Sequence, residues 1–318
     1  MVHKAGLVNK LSRPLGVEVE FSDCRKMMSK WSRPIGSEWV HDGTLPAEGR
    51  ELVLPPASGD AFLAAIRKVC VGVDAYAAKV NETCGFHVHV QAADLGMFEL
   101  RRLVQLWCGI ETEVYNNLCD PNRRLNRFCM PMAVNEVEIQ DYWQFLPKDR
   151  IALYRNRLDT EEKIRIHLIK KLYNINLADL SSKKATPTEK ALAKQQYIAT
   201  LAKFDRVKAD KRTHGAGGGA GGCRYASMNV HSYFHRTPGT VEFRLKEGTL
   251  IPLELVMWPL FCGWVVESAV RLKDSVVGSI SGLEDWCKAV EGLAQPSVIT
   301  WVQECISRRA RAKRKEAI

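Results

Sequence analysis

Apolar and polar positions alternate in short runs near the N-terminus and again after residue 220. Between and beyond those runs they repeat at helical spacing. In LGVEVEF (15–21) Val17, Val19 and Phe21 fall on one face of a strand, Glu18 and Glu20 on the other. SEWVHDGT (37–44) and RELVLPP (50–56) read as two short strands joined by LPAEG. Asp60 is placed to cap a helix in which Phe62, Ile66, Val69 and Val73 recur at helical spacing. In TCGFHVHVQAAD (83–94), Phe86, Val88 and Val90 share one face of a strand, and His87 and His89 the other. Asp94 then caps a longer helix with Leu95, Leu103, Leu106, Trp107 and Ile110 inward.

The middle of the chain holds one clear helical pattern, EEKIRIHLIKKLYN. Strand-like CRYASMNVHSYF and GTVEFRLKEG follow residue 222. Three helices are expected after them, at roughly Pro252–Lys273, Leu283–Leu293 and Ser297–Arg314. Short strands with blocks of helices between them predict an α+β fold, an antiparallel sheet with helices packed mainly on one face.

Between 181 and 222 the composition changes to a lysine-rich, weakly amphipathic segment ending in THGAGGGAGG. A run of Gly and Ala cannot pack a core and is costly to order, so it reads as a tether more readily than as a lid. The remainder is taken as a single domain spanning 1–318, carrying an insertion at about 181–222 and a C-terminal helical segment with a basic tail at about 295–318.

LVMWPLFCGWVV (255–266) is the longest apolar stretch. It falls short of the ~20 residues that span a bilayer, and it carries Pro259 and Gly263, so it reads as a core helix. The N-terminus lacks the pattern of a signal peptide. The ten cysteines include no C-x-x-C pair, which suits reduced thiols. A cytoplasmic chain without a membrane partner is the expectation. Half of the formal charge of +10 lies in SRRARAKRKEAI, where six basic residues face one acid. Those cations suit the negative pole of a helix end. A weak polyanion contact is the alternative, and the tail lacks the interleaved aromatics that would strengthen it.

The polar faces of the strands carry the chemistry. Two carboxylates at i and i+2 of a strand, Glu18 and Glu20, lie about 7 Å apart and repel unless a cation intervenes. Alone, such a pair is a polar outer face. The pattern recurs, however: Glu51 in RELVL, His87 and His89 in CGFHVHV, and Glu242 with Arg244 in GTVEFRL. If these faces join on one sheet, they present oxygen-rich ligands suited to Mg²⁺ or Mn²⁺ and a guanidinium suited to a phosphoryl group. No constellation has the spacing of a zinc site. Cys84 beside the histidines is a superficial Cys–His pair, because neighbouring strand positions point apart.

In this order GVEVEF, DGTL, ELVLPP, CGFHVHV, RYASMN and GTVEFRL resemble the motifs of the amidoligase family, itself similar to glutamine synthetase and γ-glutamylcysteine ligase. The resemblance runs from about Leu15 to Gly248. It implies a glutamine-synthetase-like sheet that binds ATP and Mg²⁺ (or Mn²⁺), and an ATP-dependent ligase joining a carboxylate to an amine through an acyl phosphate. The substrates would be small molecules or peptides. By the same resemblance Glu18, Glu20, Glu51, Glu242 and His87 match metal positions. Arg244 matches the arginine on the transferred phosphate, and His87 and Asp42 are catalytic candidates, Asp42 on the substrate side. Arg224, Asn229, Arg244 and His89 serve the nucleotide or substrate. The alternatives are a phosphotransferase of guanidino-kinase-like fold and a non-catalytic protein binding nucleotide or nucleic acid.

Overall fold

Each alternating run becomes a strand of one sheet. The computed structural model describes residues 11–120, 122, 123, 126, 129, 227–230, 233 and 239–316. Among them, β1 (Leu15–Phe21), β2 (Glu38–Val40), β3 (Arg50–Ala57), β4 (Gly85–Gln91), β5 (Met228–Asn229) and β6 (Thr240–Glu247) pair antiparallel in the order β2-β3-β1-β4-β6-β5. The described helices are α1 (Arg25–Lys30), α2 (Gly59–Tyr76), α3 (Met97–Leu118), α4 (Pro252–Arg271), α5 (Asp274–Val277), α6 (Leu283–Ala289) and α7 (Pro296–Glu316). The architecture is α+β, as the pattern of short strands and helical blocks predicts.

The apolar face of the sheet, including Val17, Val19, Val88 and Phe243, is buried against helices. Trp107 of α3 meets Phe243 edge-on, with ring centroids 4.9 Å apart. Helix α4 packs against β1, β4, α2 and α3, and α7 covers α3 and α4. This explains why α4 is apolar on every side: neighbours surround it, and Leu255 through Ala269 are all buried. By length and composition α4 is the one described helix that could cross a membrane, yet 83% of its apolar window lies inside the fold. The nine described cysteines are free thiols.

Local corrections concern helix starts and strand lengths. Neither expected aspartate cap forms. Helix α2 begins at Gly59 after Ser58, with Asp60 inside its first turn, and α3 begins at Met97 after Gly96. Asp94 is instead drawn to Arg13, whose guanidinium donates to both of its oxygens at 2.6 and 2.9 Å and to Glu267 at 3.1 Å. Arg13 is buried while the Asp94 side chain is 59% exposed, so water screens part of that charge pair. Asp94→Asn should therefore cost only about 1 kcal/mol of stability by urea unfolding, below the ~1.5–3 kcal/mol of a fully buried charged hydrogen bond. The run at 37–44 supplies just three strand residues, because HDGT turns away as a loop. The helical pattern EEKIRIHLIKKLYN, the segment 181–222 and Arg224 lie outside the described residues.

One irregularity reshapes β6. Phe86 pairs with Lys246 but Val88 pairs with Phe243, so the single residue His87 faces both Arg244 and Leu245, a β-bulge. The extra residue reverses the alternation beyond it. Lys246 consequently points to the helix side. There its ammonium, 2% exposed, donates to the Leu118 carbonyl at the end of α3 (2.8 Å) and to Glu247 (2.6 Å), with Glu254 at 3.3 Å. Simple alternation would have left this lysine beside Glu242 and Arg244. The bulge keeps it away and gives a helix C-terminus its cation.

Candidate active site

The face of the sheet opposite the helices carries the polar side chains. Register decides who meets whom: Glu18 pairs with His87 across β1 and β4, Glu20 with Glu51 across β1 and β3, and His89 with Glu242 across β4 and β6. Directly opposed side chains on one face lie within about 5.5 Å at Cβ, which places ionisable groups in contact. Glu20, Glu51, His87, Asn229 and Glu242 are all buried, and Glu18 is half-buried.

Glu18 is the hub. His87 Nδ1 lies 3.1 Å from its Oε2 and His89 Nε2 lies 3.0 Å from its Oε1. Burial pushes the Glu18 pKa upward, but hydrogen bonds from both imidazoles more than offset this and hold the carboxyl well below its usual range. The other nitrogen of His89 meets Thr240 Oγ1 at 3.3 Å, which fixes that ring from behind. Glu242 is likewise held ionised. Burial opposes the charge, and Arg244, His89 and His87 outweigh it. Its Oε1 accepts from Arg244, and its Oε2 accepts from the Asn229 amide at 2.8 Å.

Asn229 stands on a two-residue strand too short to hold its own position. The preceding Ser227 does that work: its hydroxyl donates to the buried carboxylate of Glu111 on α3 and accepts from Trp107 Nε1 at 2.9 Å.

Glu51 behaves oppositely. Burial, followed by the nearby charges of Glu18, Glu20 and Asp42, pushes its pKa up to about 9. Asp42 reaches this corner from the loop after β2. Thr44 fixes its Oδ1 through the backbone N–H and the hydroxyl, both at 2.7 Å. Two groups result, each with three ligand atoms within 4.8 Å of one another: Glu18, His87 and Glu242, and beside them Glu20, Asp42 and Glu51. The donors are mainly carboxylate oxygens with one imidazole and no thiolate, a set that fits Mg²⁺ or Mn²⁺.

Of the residues singled out by sequence, Glu18, Glu20, Asp42, Glu51, His87, His89, Asn229, Glu242 and Arg244 are thus brought together. Of the other histidines close to these motifs in the sequence, His41 is exposed, and His231 and His235 lie outside the described residues. Cys84 donates to Asn81 Oδ1, and burial raises its thiol pKa, which leaves no activated nucleophile there.

Two residues escaped the sequence reading. Gly85 donates its N–H to Glu20, and a Cβ at that position would come within 2.6 Å of His87 Nε2. Arg123, just beyond α3, sits 3.3 Å from the same point. Gly85 was visible only as part of CGFHVHV. Arg123 lies in DPNRRLNRF, a run of sequence with no clear periodicity to point at it.

Among the described residues, the open face of this antiparallel sheet gathers acidic and imidazole side chains, with Arg244 among the acids. The sequence model of a family described as "putative amidoligase enzyme" matches residues 25–160, a span that contains Asp42, Glu51, His87 and His89. Over that span the match bears out the amidoligase resemblance of the motifs. No curated protein matches the chain.

Proposed function

We propose that the open face of the sheet is the active site of an ATP- and Mg²⁺-dependent carboxylate–amine ligase of glutamine-synthetase-like fold. The observation that carries this reading is the convergence of two ligand groups, contributed by β1, β3, β4, β6 and the loop after β2, on one face beside Arg244. The amidoligase match over 25–160 supports the same class.

A free carboxylate acylates poorly because oxide or hydroxide would have to leave. Attack of the carboxylate on the γ-phosphate of ATP gives an acyl phosphate and ADP. An amine then displaces phosphate and leaves the amide. Glu18, His87 and Glu242 would hold one divalent cation and Glu20, Asp42 and Glu51 a second. Such cations neutralise a polyphosphate so that an anionic carboxylate can approach it. Arg244 stabilises the charge on the phosphoryl group during transfer. Asn229 and His89 aim the ligand carboxylates of Glu242 and Glu18. Asp42, held by Thr44 at the loop edge, is also placed to orient or deprotonate the incoming amine.

The test is ATP consumption across a panel of carboxylates, with ammonia and with amino acids as amines, and products identified by mass spectrometry. ADP, phosphate and an amide formed only when both substrates are present is the expected result. A phosphorylated end product with no amine consumed would replace the ligase by a phosphotransferase. Absence of ATP consumption throughout the panel, in protein that also fails to bind Mg-ATP, would remove the enzyme reading.

A further inference from the structure

We propose that Arg123 is a positioning residue for Arg244, acting through the β6 bulge. This rests on the reading of Arg244 as the phosphoryl-binding arginine. In a regular antiparallel ladder the carbonyls along β6 would be taken by its neighbour strands. At the bulge, His87 faces both Arg244 and Leu245, and the ladder is broken at those two residues. Arg123 fills the break. Its Nε donates to the Leu245 carbonyl and its NH2 to the Arg244 carbonyl, both at 3.3 Å. A single planar group therefore holds two successive carbonyls, a task that suits the fixed fork of a guanidinium and not a lysine.

The side of the bulge facing β5 is held as well, since the Arg244 N–H donates to the Ser227 carbonyl at 2.8 Å. With its own N–H and C=O both fixed, Arg244 has its side chain set against Glu242. Arg123 is buried, 6% exposed, and its backbone carbonyl accepts from Cys129 Sγ, so it is itself anchored. The same guanidinium borders His87 across Gly85. Arg123 thus ties the chain just beyond α3 to the register break between β4 and β6.

The experiment compares wild type, Arg123→Gln, Arg123→Lys, Arg244→Gln and the Arg123→Gln/Arg244→Gln double variant. Calorimetry measures binding of inorganic pyrophosphate in excess Mg²⁺, and hydrogen exchange of the β6 peptide is followed without ligand. Arg123→Gln is expected to weaken pyrophosphate about 10-fold or more and to speed exchange at 243–247. Arg123→Lys, which keeps the charge but not the fork, should recover less than half of the lost affinity on a logarithmic scale. In the double variant the loss should stay within about 3-fold of Arg244→Gln alone, because one residue acts through the other. Losses that multiply, or unchanged β6 exchange in both Arg123 variants, would overturn the proposal. Should pyrophosphate bind wild type and Arg244→Gln alike, the phosphoryl-binding reading of Arg244 falls, and the exchange data still decide whether Arg123 holds the bulge.

Discussion

Gly85→Ala is expected to lower Mn²⁺ affinity about 10- to 100-fold in a chain that still folds. The added methyl would meet His87 Nε2 at 2.6 Å, well inside van der Waals contact, and Arg123 NH2 at 3.3 Å. The obstructed atom is the far end of an imidazole, so the ring swings and the strand stays. Overpacking of this kind costs about 1–3 kcal/mol. The functional cost is larger, because His87 Nδ1 lies 3.1 Å from Glu18 and 4.0 Å from Glu242, and a tilted ring leaves both. Displaced ligands and their supports typically change metal affinity by that factor. Calorimetric titration with Mn²⁺ alongside thermal unfolding separates the two effects. Unchanged affinity would mean that His87 does not serve the cation group.

The second large effect concerns pH. Glu51 has its pKa raised to about 9 by burial and by its acidic neighbours, against roughly 4.5 in an unfolded chain. Between those values the folded state keeps a proton that the unfolded state has lost, so stability falls as pH rises. The slope attributable to this one group is at most about 1.4 kcal/mol per pH unit. Without divalent cations the melting temperature should therefore decline from about pH 5 to pH 9, and Glu51→Gln should flatten the decline. Mg²⁺ reverses the balance: its binding displaces the Glu51 proton, so its stabilising effect should grow with pH over the same interval. A cation effect independent of pH, or a slope untouched by Glu51→Gln, would show that Glu51 is not the protonated member of its group.

How much of this was legible beforehand follows from what alternation encodes. A period of two assigns residues to faces, and that was enough to put Glu18, Glu20, Glu51, His87, His89, Glu242 and Arg244 on polar faces. It cannot supply strand order, which depends on pairings between distant segments and emerges only in the folded sheet. Nor can it foresee a register break. Lys246 continues the polar alternation of β6 and yet lies on the helix side, because the bulge inserts a residue after Phe243. Asp94 looked like a helix cap since its type and place fit one. The long-range pull of Arg13 won, an interaction between residues 81 apart that local rules do not see. Arg123 was hidden for a related reason: its role comes from two backbone carbonyls on β6, and carbonyls leave no mark in a sequence.

Central to the proposed chemistry is that the two acidic groups each take a divalent cation. Counting bound Mn²⁺ by electron paramagnetic resonance tests it in wild type, Glu242→Gln and Glu51→Gln. Two ions per chain, with a different one lost in each variant, is the expected result; Mn²⁺ left free by wild type, or bound equally by all three proteins, would contradict it.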